Sequence, residues 1–113
     1  MKMEIIETPI FTKLLKDLEV SDEDYRELQG LLVISPDYGD LIIGTGGARK
    51  VRMKRSGGGK RGGHRVIYYW KYQSDQIYML LVYSKGKRDD LTPNQKKDLK
   101  NVIEEIRHGQ RII

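Results

Sequence analysis

Lys50, Arg52 and Lys54 recur at i, i+2 and i+4, the spacing that puts side chains on one face of a β-strand. Three cations on one strand face suit a phosphate. Arg65 opens a second apolar stretch, and its planar fork can hold two phosphate oxygens at once. His64 stands beside it as a candidate acid or base. Together these groups fit metal-free cleavage of RNA, in which the substrate's own 2′-hydroxyl attacks the adjacent phosphate. The protein must align the attack, accept one proton, deliver another to the leaving 5′-oxygen and neutralise the charge that builds on phosphorus. Arginines can do the neutralising. Crowded like charges favour the neutral form of a lysine, so Lys50 and Lys54, which flank Arg52, are candidate bases.

The surroundings favour a polyanion. Eight of the chain's 21 basic residues fall between Arg49 and Arg65, where there is no Asp or Glu. The rest of the chain, 13 basic against 16 acidic, is slightly negative. The positive charge is therefore a local patch, the electrostatic footprint expected of a nucleic-acid partner. Arg49, Arg55, Lys60 and Arg61 join the patch as candidate RNA contacts, and glycines at 57–59 and 62–63 would let backbone approach phosphate. Lys85, Lys87 and Arg88 form a second basic cluster after the last apolar run. An antiparallel arrangement can bring it to one end of the first. Tyr68, Tyr69, Trp70, Tyr72, Tyr78 and Tyr83 cluster nearby. Strands favour aromatic residues for packing, and some of these rings could also stack bases.

Other chemistries find little support. The chain has no cysteine, which removes disulfides, thiol nucleophiles and thiolate metal sites. With only His64 and His108 as imidazoles, no metal site and no cofactor are expected. Gly59-Lys60 is followed by Arg61, and Gly86-Lys87 by Arg88, so neither completes the phosphate loop that needs Ser or Thr after GK. Asp89-Asp90 read as turn residues. The opening MKMEIIETP is acidic and has no long apolar stretch, unlike a signal peptide. No run reaches the eighteen or so apolar residues of a membrane span. The expectation is a single domain over residues 1–113, located in the cytoplasm with no membrane partner.

The elements that must position these residues follow from the hydrophobic period. Met3 to Glu7 reads as a first strand. Thr8-Pro9 supplies an N-cap and a proline at N1, and Phe11, Leu14, Leu15 and Leu18 then mark one helical face. Ser21-Asp22-Glu23-Asp24 starts a second helix, striped by Tyr25, Leu28, Leu31 and Leu32 and stopped by Pro36. After Gly39 the period falls to two. Strands are predicted at Leu41–Ile43, Lys50–Lys54, Arg65–Lys71 and Ile77–Tyr83, the last apolar enough to be central in a sheet. Thr92-Pro93 begins a final helix carrying Leu99, Val102, Ile103 and Ile106, and Gly109 ends it. The predicted class is α+β: an N-terminal strand, a two-helix hairpin, an antiparallel sheet with helices on one side and at one end, and a C-terminal helix.

Three segments, LIIGTGGARKVRM, SGGGKRGGHRVIYYW and MLLVYSKGKRDDLTPNQ, resemble the RelE/ParE superfamily of bacterial toxins, and most closely its HigB-type, RelE-like members. The resemblance covers most of the chain and is most specific from Gly44 to Trp70. It implies the same small α+β fold. It also implies a toxin of a type II toxin–antitoxin system that inhibits translation by cutting messenger RNA in the ribosomal A site without metal. The implied partners are the ribosome, its message and a cognate antitoxin. The antitoxin is usually a helix-turn-helix DNA-binding protein, so operator DNA would be reached only through it. By position in the motif, Lys50, Arg52 and Lys54 correspond to basic strand residues of the RelE type. Arg65 corresponds to the arginine opening the R-[VIL]-[VI]-Y strand, and Lys85 to Arg88 to the basic turn after the last strand. RelE carries an active-site tyrosine near its C-terminus, where this chain has Thr92-Pro93-Asn94. Two other readings share the fold or the charge: a ParE-type gyrase inhibitor, and a non-catalytic RNA- or ribosome-binding module.

Overall fold

The structure is a computed structural model, described for residues 2–56, 63–84, 86 and 90–109. β1 (Glu4–Glu7) leads into a helical hairpin of α1 (Pro9–Asp17) and α2 (Asp22–Ile34). Then come β2 (Asp40–Leu41), β3 (Ala48–Met53), β4 (His64–Lys71), a 3-10 turn (Tyr72–Ser74), β5 (Gln76–Ser84) and α3 (Pro93–Arg107). The helix starts are capped where the hydroxyl–proline and acidic patterns place them. Thr8 Oγ accepts from the Phe11 amide, Ser21 from Asp24, and Thr92 forms a reciprocal capping box with Gln95. Each such cap contributes about 1 kcal/mol.

The strands form one five-stranded sheet in the order β1-β5-β4-β3-β2. β2 through β5 pair antiparallel, whereas β1 lies parallel to β5, with Glu4 opposite Gln76 and Glu7 opposite Met79. The sheet is therefore mixed, not purely antiparallel. No hairpin joins β1 to β5, so nothing local dictates their relative direction.

The helices are not confined to one side. α1 and α2 cover one face, where Phe11, Leu28, Leu32, Val51, Met53, Val66, Tyr68, Ile77, Met79 and Val82 form the larger core. α3 covers the other, packing Leu99, Ile103 and Ile106 on Ala48, Ile67 and Leu80. The cause lies in β4 and β5, which carry apolar side chains on both faces. Burying such a side chain is worth about 1.5–3 kcal/mol, so each face needs a cover.

A bulge decides which side chains of β5 face α3. Ile67 pairs with Leu81 but Tyr68 pairs with Met79, so Leu80 is the extra residue. Leu80 and Leu81 consequently both join the α3-side cluster. Beyond the bulge the alternation is reversed. Ile77, Met79 and Val82 face the helical hairpin, and Tyr78, Leu81 and Tyr83 face α3.

Candidate nucleic-acid interface

β3 ends, β4 begins and β5 ends at the same end of the sheet. There Arg52 stands opposite Arg65, and Arg65 opposite Tyr83. Directly opposed side chains in an antiparallel pair share a face, with Cβ atoms about 4.5–5.5 Å apart. The result is one row, Arg52–Arg65–Tyr83, crossing three strands on the α3 side. Lys50 is one step back on the same face, opposite Ile67. Arg52 is exposed, while Lys50, Arg65 and Tyr83 are half-buried. Two arginines side by side on one face suit a bidentate grip on an anion such as phosphate.

Lys54 does not extend the row. β3 stops at Met53, and the Lys54 ammonium lies 3.5 Å from Glu27 Oε1 on α2. The expected three-cation face thus holds two, Lys50 and Arg52, because the chain leaves the sheet before its third member.

His64 is also elsewhere. It opens β4 on the helical-hairpin face, 3% exposed, and its Nδ1 has no hydrogen-bond partner among the described residues. Burial, and then the charge of Arg55, hold its pKa below the ordinary histidine value, against a smaller opposite pull from Asp24. Burial thus favours the neutral imidazole inside the fold, with the sheet between it and the Arg52–Arg65 row.

Arg49 is a brace. It shares a strand with Lys50 but projects to the opposite face, where one guanidinium nitrogen donates to the carbonyls of Asp37 (3.1 Å) and Gly39 (2.7 Å). The Tyr68 hydroxyl completes this corner. It accepts from the Gly39 amide at 2.8 Å and donates to the Pro36 carbonyl at 2.7 Å. Gly39 must be glycine, since a Cβ there would lie 2.9 Å from the Lys50 carbonyl oxygen and from the Tyr68 ring. These contacts lock β2 onto β3 beneath Lys50.

Both approaches to the glycine-rich segment are fastened. The buried Asp24 carboxylate accepts the Ser56 amide at 3.0 Å and the Ser56 hydroxyl at 2.8 Å. That backbone hydrogen bond is the main reason the Asp24 pKa is lowered. At the other end Gly63 has φ +54°, and a Cβ would approach the Met53 carbonyl oxygen to 2.5 Å. Arg55 is exposed beside this anchor. Lys60, Arg61, Lys85, Lys87 and Arg88 lie outside the described residues.

Tyr83 is the member of the row that strand alternation alone misassigns. Counting by twos from Ile77 places it toward the helical hairpin, and the bulge at Leu80 turns it to the arginines. Among the described residues, no group of three or more His, Cys, Asp or Glu could hold a metal ion, and no helix is long and apolar enough to cross a membrane. A groove of about 510 Å³ lies between α1 and α3, lined by residues such as Pro9, Ile10, Leu80 and Leu99. It is apolar and carries none of the basic row.

The family model for the RelE toxin of the RelE/RelB toxin–antitoxin system matches residues 3–110. This chain belongs to the RelE toxin family. Its fold is similar to a chain in the crystal structure of the intact E. coli RelBE toxin–antitoxin complex, with TM-score 0.59 and 12% identity over 76% of this chain and 100% of that one. It is also similar to a chain in the archaeal RelE–RelB complex from Pyrococcus horikoshii OT3, with TM-score 0.50 and 24% identity over 78% of this chain and 100% of that one.

Proposed function

We propose that this RelE-family toxin is an endoribonuclease that cuts messenger RNA on the ribosome, using the 2′-hydroxyl of the message as nucleophile and no metal. The observation that carries the reading is the row of Arg52, Arg65 and Tyr83 across three strands, with Lys50 adjacent on the same face. Arg52 and Arg65 grip the scissile phosphate and offset the charge of its transition state. Lys50 supplies a further cation at the same phosphate or handles a proton. Tyr83 offers a ring and a hydroxyl at the end of the row. Lys85, Lys87, Arg88, Lys60 and Arg61 are assigned by sequence to ribosome and RNA contact. No acid–base pair is assigned among the described residues, so alignment by the ribosome supplies the remaining orientation.

The partner is a cognate antitoxin. The solved relatives, both RelB complexes, support this, and operator DNA would be reached only through the antitoxin. A ribosomal target places the protein in the cytoplasm.

The test is cleavage of a defined message on purified ribosomes, with transition metals removed by a selective chelator and Mg²⁺ retained to keep ribosomes intact. The expected fragments carry 2′,3′-cyclic phosphate or 3′-phosphate on one side and 5′-hydroxyl on the other. Fragments with 5′-phosphate and 3′-hydroxyl ends indicate attack by water and overturn the mechanism. Equally fast cutting of free RNA removes the ribosome from it.

A further inference from the structure

α3 carries different charges on its two flanks. At 3.6 residues per turn, Lys96, Lys100 and Arg107 fall on one flank and Asp98 and Glu105 toward the other. The packing shows what the basic flank faces. A Cβ on Gly44 would lie 3.8 Å from Lys96 Cδ, and one on Gly46 would lie 3.8 Å from Lys100 Cγ. Those glycines form the turn that leads from β2 into β3. Asp98 faces away from them, lining the apolar groove with Thr8 and Pro9.

The turn delivers the chain to Ala48, which is fully buried in the α3-side cluster. Lys50 is the next residue on that face of β3, about 7 Å along the strand. Arg52, opposite Arg65, follows it. The basic flank of α3 therefore borders the sheet face that carries the Lys50, Arg52 and Arg65 row. The lysine stems lie over the glycine turn, an arrangement that leaves ammonium groups free to reach water. Lys100 is exposed and Lys96 half-buried. Two acids bound this surface. Asp40 stands across from Lys50 on β2, and Glu104, one turn past Lys100, lies 3.4 Å from His108.

We propose that Lys96 and Lys100 form a second RNA-backbone contact, continuous with the Lys50–Arg52–Arg65 row and ending at Glu104. The inference rests on the RNA-cleaving reading above and assigns this flank of α3 to RNA phosphates outside the cleaved position. Residues four apart on a helix have Cβ atoms about 5–6 Å apart, so the two ammonium groups can serve neighbouring phosphates. Message and ribosomal RNA offer the same chemistry.

The experiment compares wild type with a Lys96→Gln/Lys100→Gln double variant, and with Asp98→Asn as the opposite-flank control. Binding is measured by sedimentation at 50–200 mM KCl with two probes, empty ribosomes and ribosomes programmed with a message whose A-site codon is 2′-deoxy and so cannot be cut. Glutamine keeps the helix, since its propensity matches that of lysine, and a melt of each variant verifies this. The expected result is a salt slope shallower by about 1.5 in the double variant, so that wild type loses about eightfold more affinity than the variant over that salt range. Asp98→Asn leaves the slope unchanged. A change with both probes assigns the contact to ribosomal RNA, and a change with programmed ribosomes alone assigns it to the message. Wild-type binding with the same slope in the double variant for both probes overturns this inference and leaves the cleavage reading standing. No wild-type binding to either probe overturns both.

Discussion

The two faces of the sheet use the same residue types for opposite ends. On the face under α1 and α2, polar side chains are tied into the fold. Asp24 holds Ser56, the Tyr68 hydroxyl bridges Gly39 and Pro36, and Arg49 closes on two carbonyls. His64 is buried, which favours its neutral form. On the face under α3, cations gather at the end of the sheet where β3 ends and β4 begins. Arg49 and Lys50 are neighbours in sequence, and the strand pleat alone makes one a brace and leaves the other beside Arg52. Charge density marks the segment, and strand parity decides which of its charges share the face of the Arg52–Arg65 row.

The largest expected effect tests that division directly. Arg52→Ala should lower cleavage of ribosome-bound message by about 10²–10³-fold, the usual cost of removing one preorganised group that stabilises transition-state charge. Its stability should change by no more than about 0.5 kcal/mol, because Arg52 is exposed. His64→Phe should retain cleavage within a few-fold per folded molecule. Single-turnover cleavage and a thermal melt on both variants separate the two faces. A folded His64→Phe protein as inactive as Arg52→Ala would break the comparison and return an acid–base role to the histidine.

Periodicity and capping residues were sufficient to place three helices, the order of the strands along the chain and the basic strand β3. What they could not reach is non-local. Nothing in Met3 to Glu7 encodes that β1 will lie parallel to a strand some seventy residues later. The burial pattern of α3 shows an apolar stripe and not which sheet face it will cover. The bulge at Leu80 leaves no mark in a run as apolar as Ile77 to Val82, yet it carries Tyr83 to the arginines. Lys54 satisfies the i+4 spacing, but the spacing cannot see that β3 ends one residue earlier. His64 illustrates the opposite limit, since a histidine next to a basic loop looks available until the register with Met53 and Ser84 turns it inward.

On the helical-hairpin face the sensitive quantity should be stability. Asp24→Ala removes the acceptor for a backbone amide and a hydroxyl at a buried position. Ser56 is exposed and its donors can turn to water, so the loss is that of hydrogen bonds to a charged acceptor, about 1.5–3 kcal/mol, and each kcal/mol lowers the melting temperature of a domain near this size by about 4–8 °C. Asp24→Asn keeps one carbonyl acceptor and should lose less. Melting of the two variants beside wild type checks the order. Equal melting of Asp24→Ala and wild type would mean that Ser56 is held by something other than this carboxylate.

The same face should titrate, with a smaller amplitude. His64 has a folded pKa below its unfolded value near 6.5, so below about pH 6.5 the unfolded chain binds a proton that the folded one refuses. Stability is then complete above that pH and falls as pH drops toward the folded pKa. Asp24 acts in a separate, more acidic window. Its lowered pKa contributes stability above the unfolded carboxylate value, and this is lost as pH falls through the folded one. Calorimetric melts between pH 7.5 and 5.5 should show a decline in wild type that is flatter in His64→Phe. Parallel curves for the two proteins would place the titration on another group.

The smallest effect belongs to Lys54, and it is the sharpest check on the boundary between the faces. Its ion pair with Glu27 is solvent-exposed, with both side chains 62% accessible. Exposed pairs of this kind contribute about 0–1 kcal/mol and are weakened further by salt. Lys54→Ala and Glu27→Ala should therefore each shift stability by less than about 0.5 kcal/mol, with a coupling energy in the double variant close to zero at 0.5 M salt. Cleavage should follow the same logic. Lys54 has left the strand that carries Lys50 and Arg52, so Lys54→Ala should reduce the rate far less than Arg52→Ala does. Glu27→Ala gives the informative contrast, because it frees the lysine without deleting it. If Glu27→Ala accelerates cleavage while Lys54→Ala matches the loss in Arg52→Ala, the lysine swings back to the row when RNA arrives. The i, i+2, i+4 face implied by the strand spacing is then assembled by the substrate.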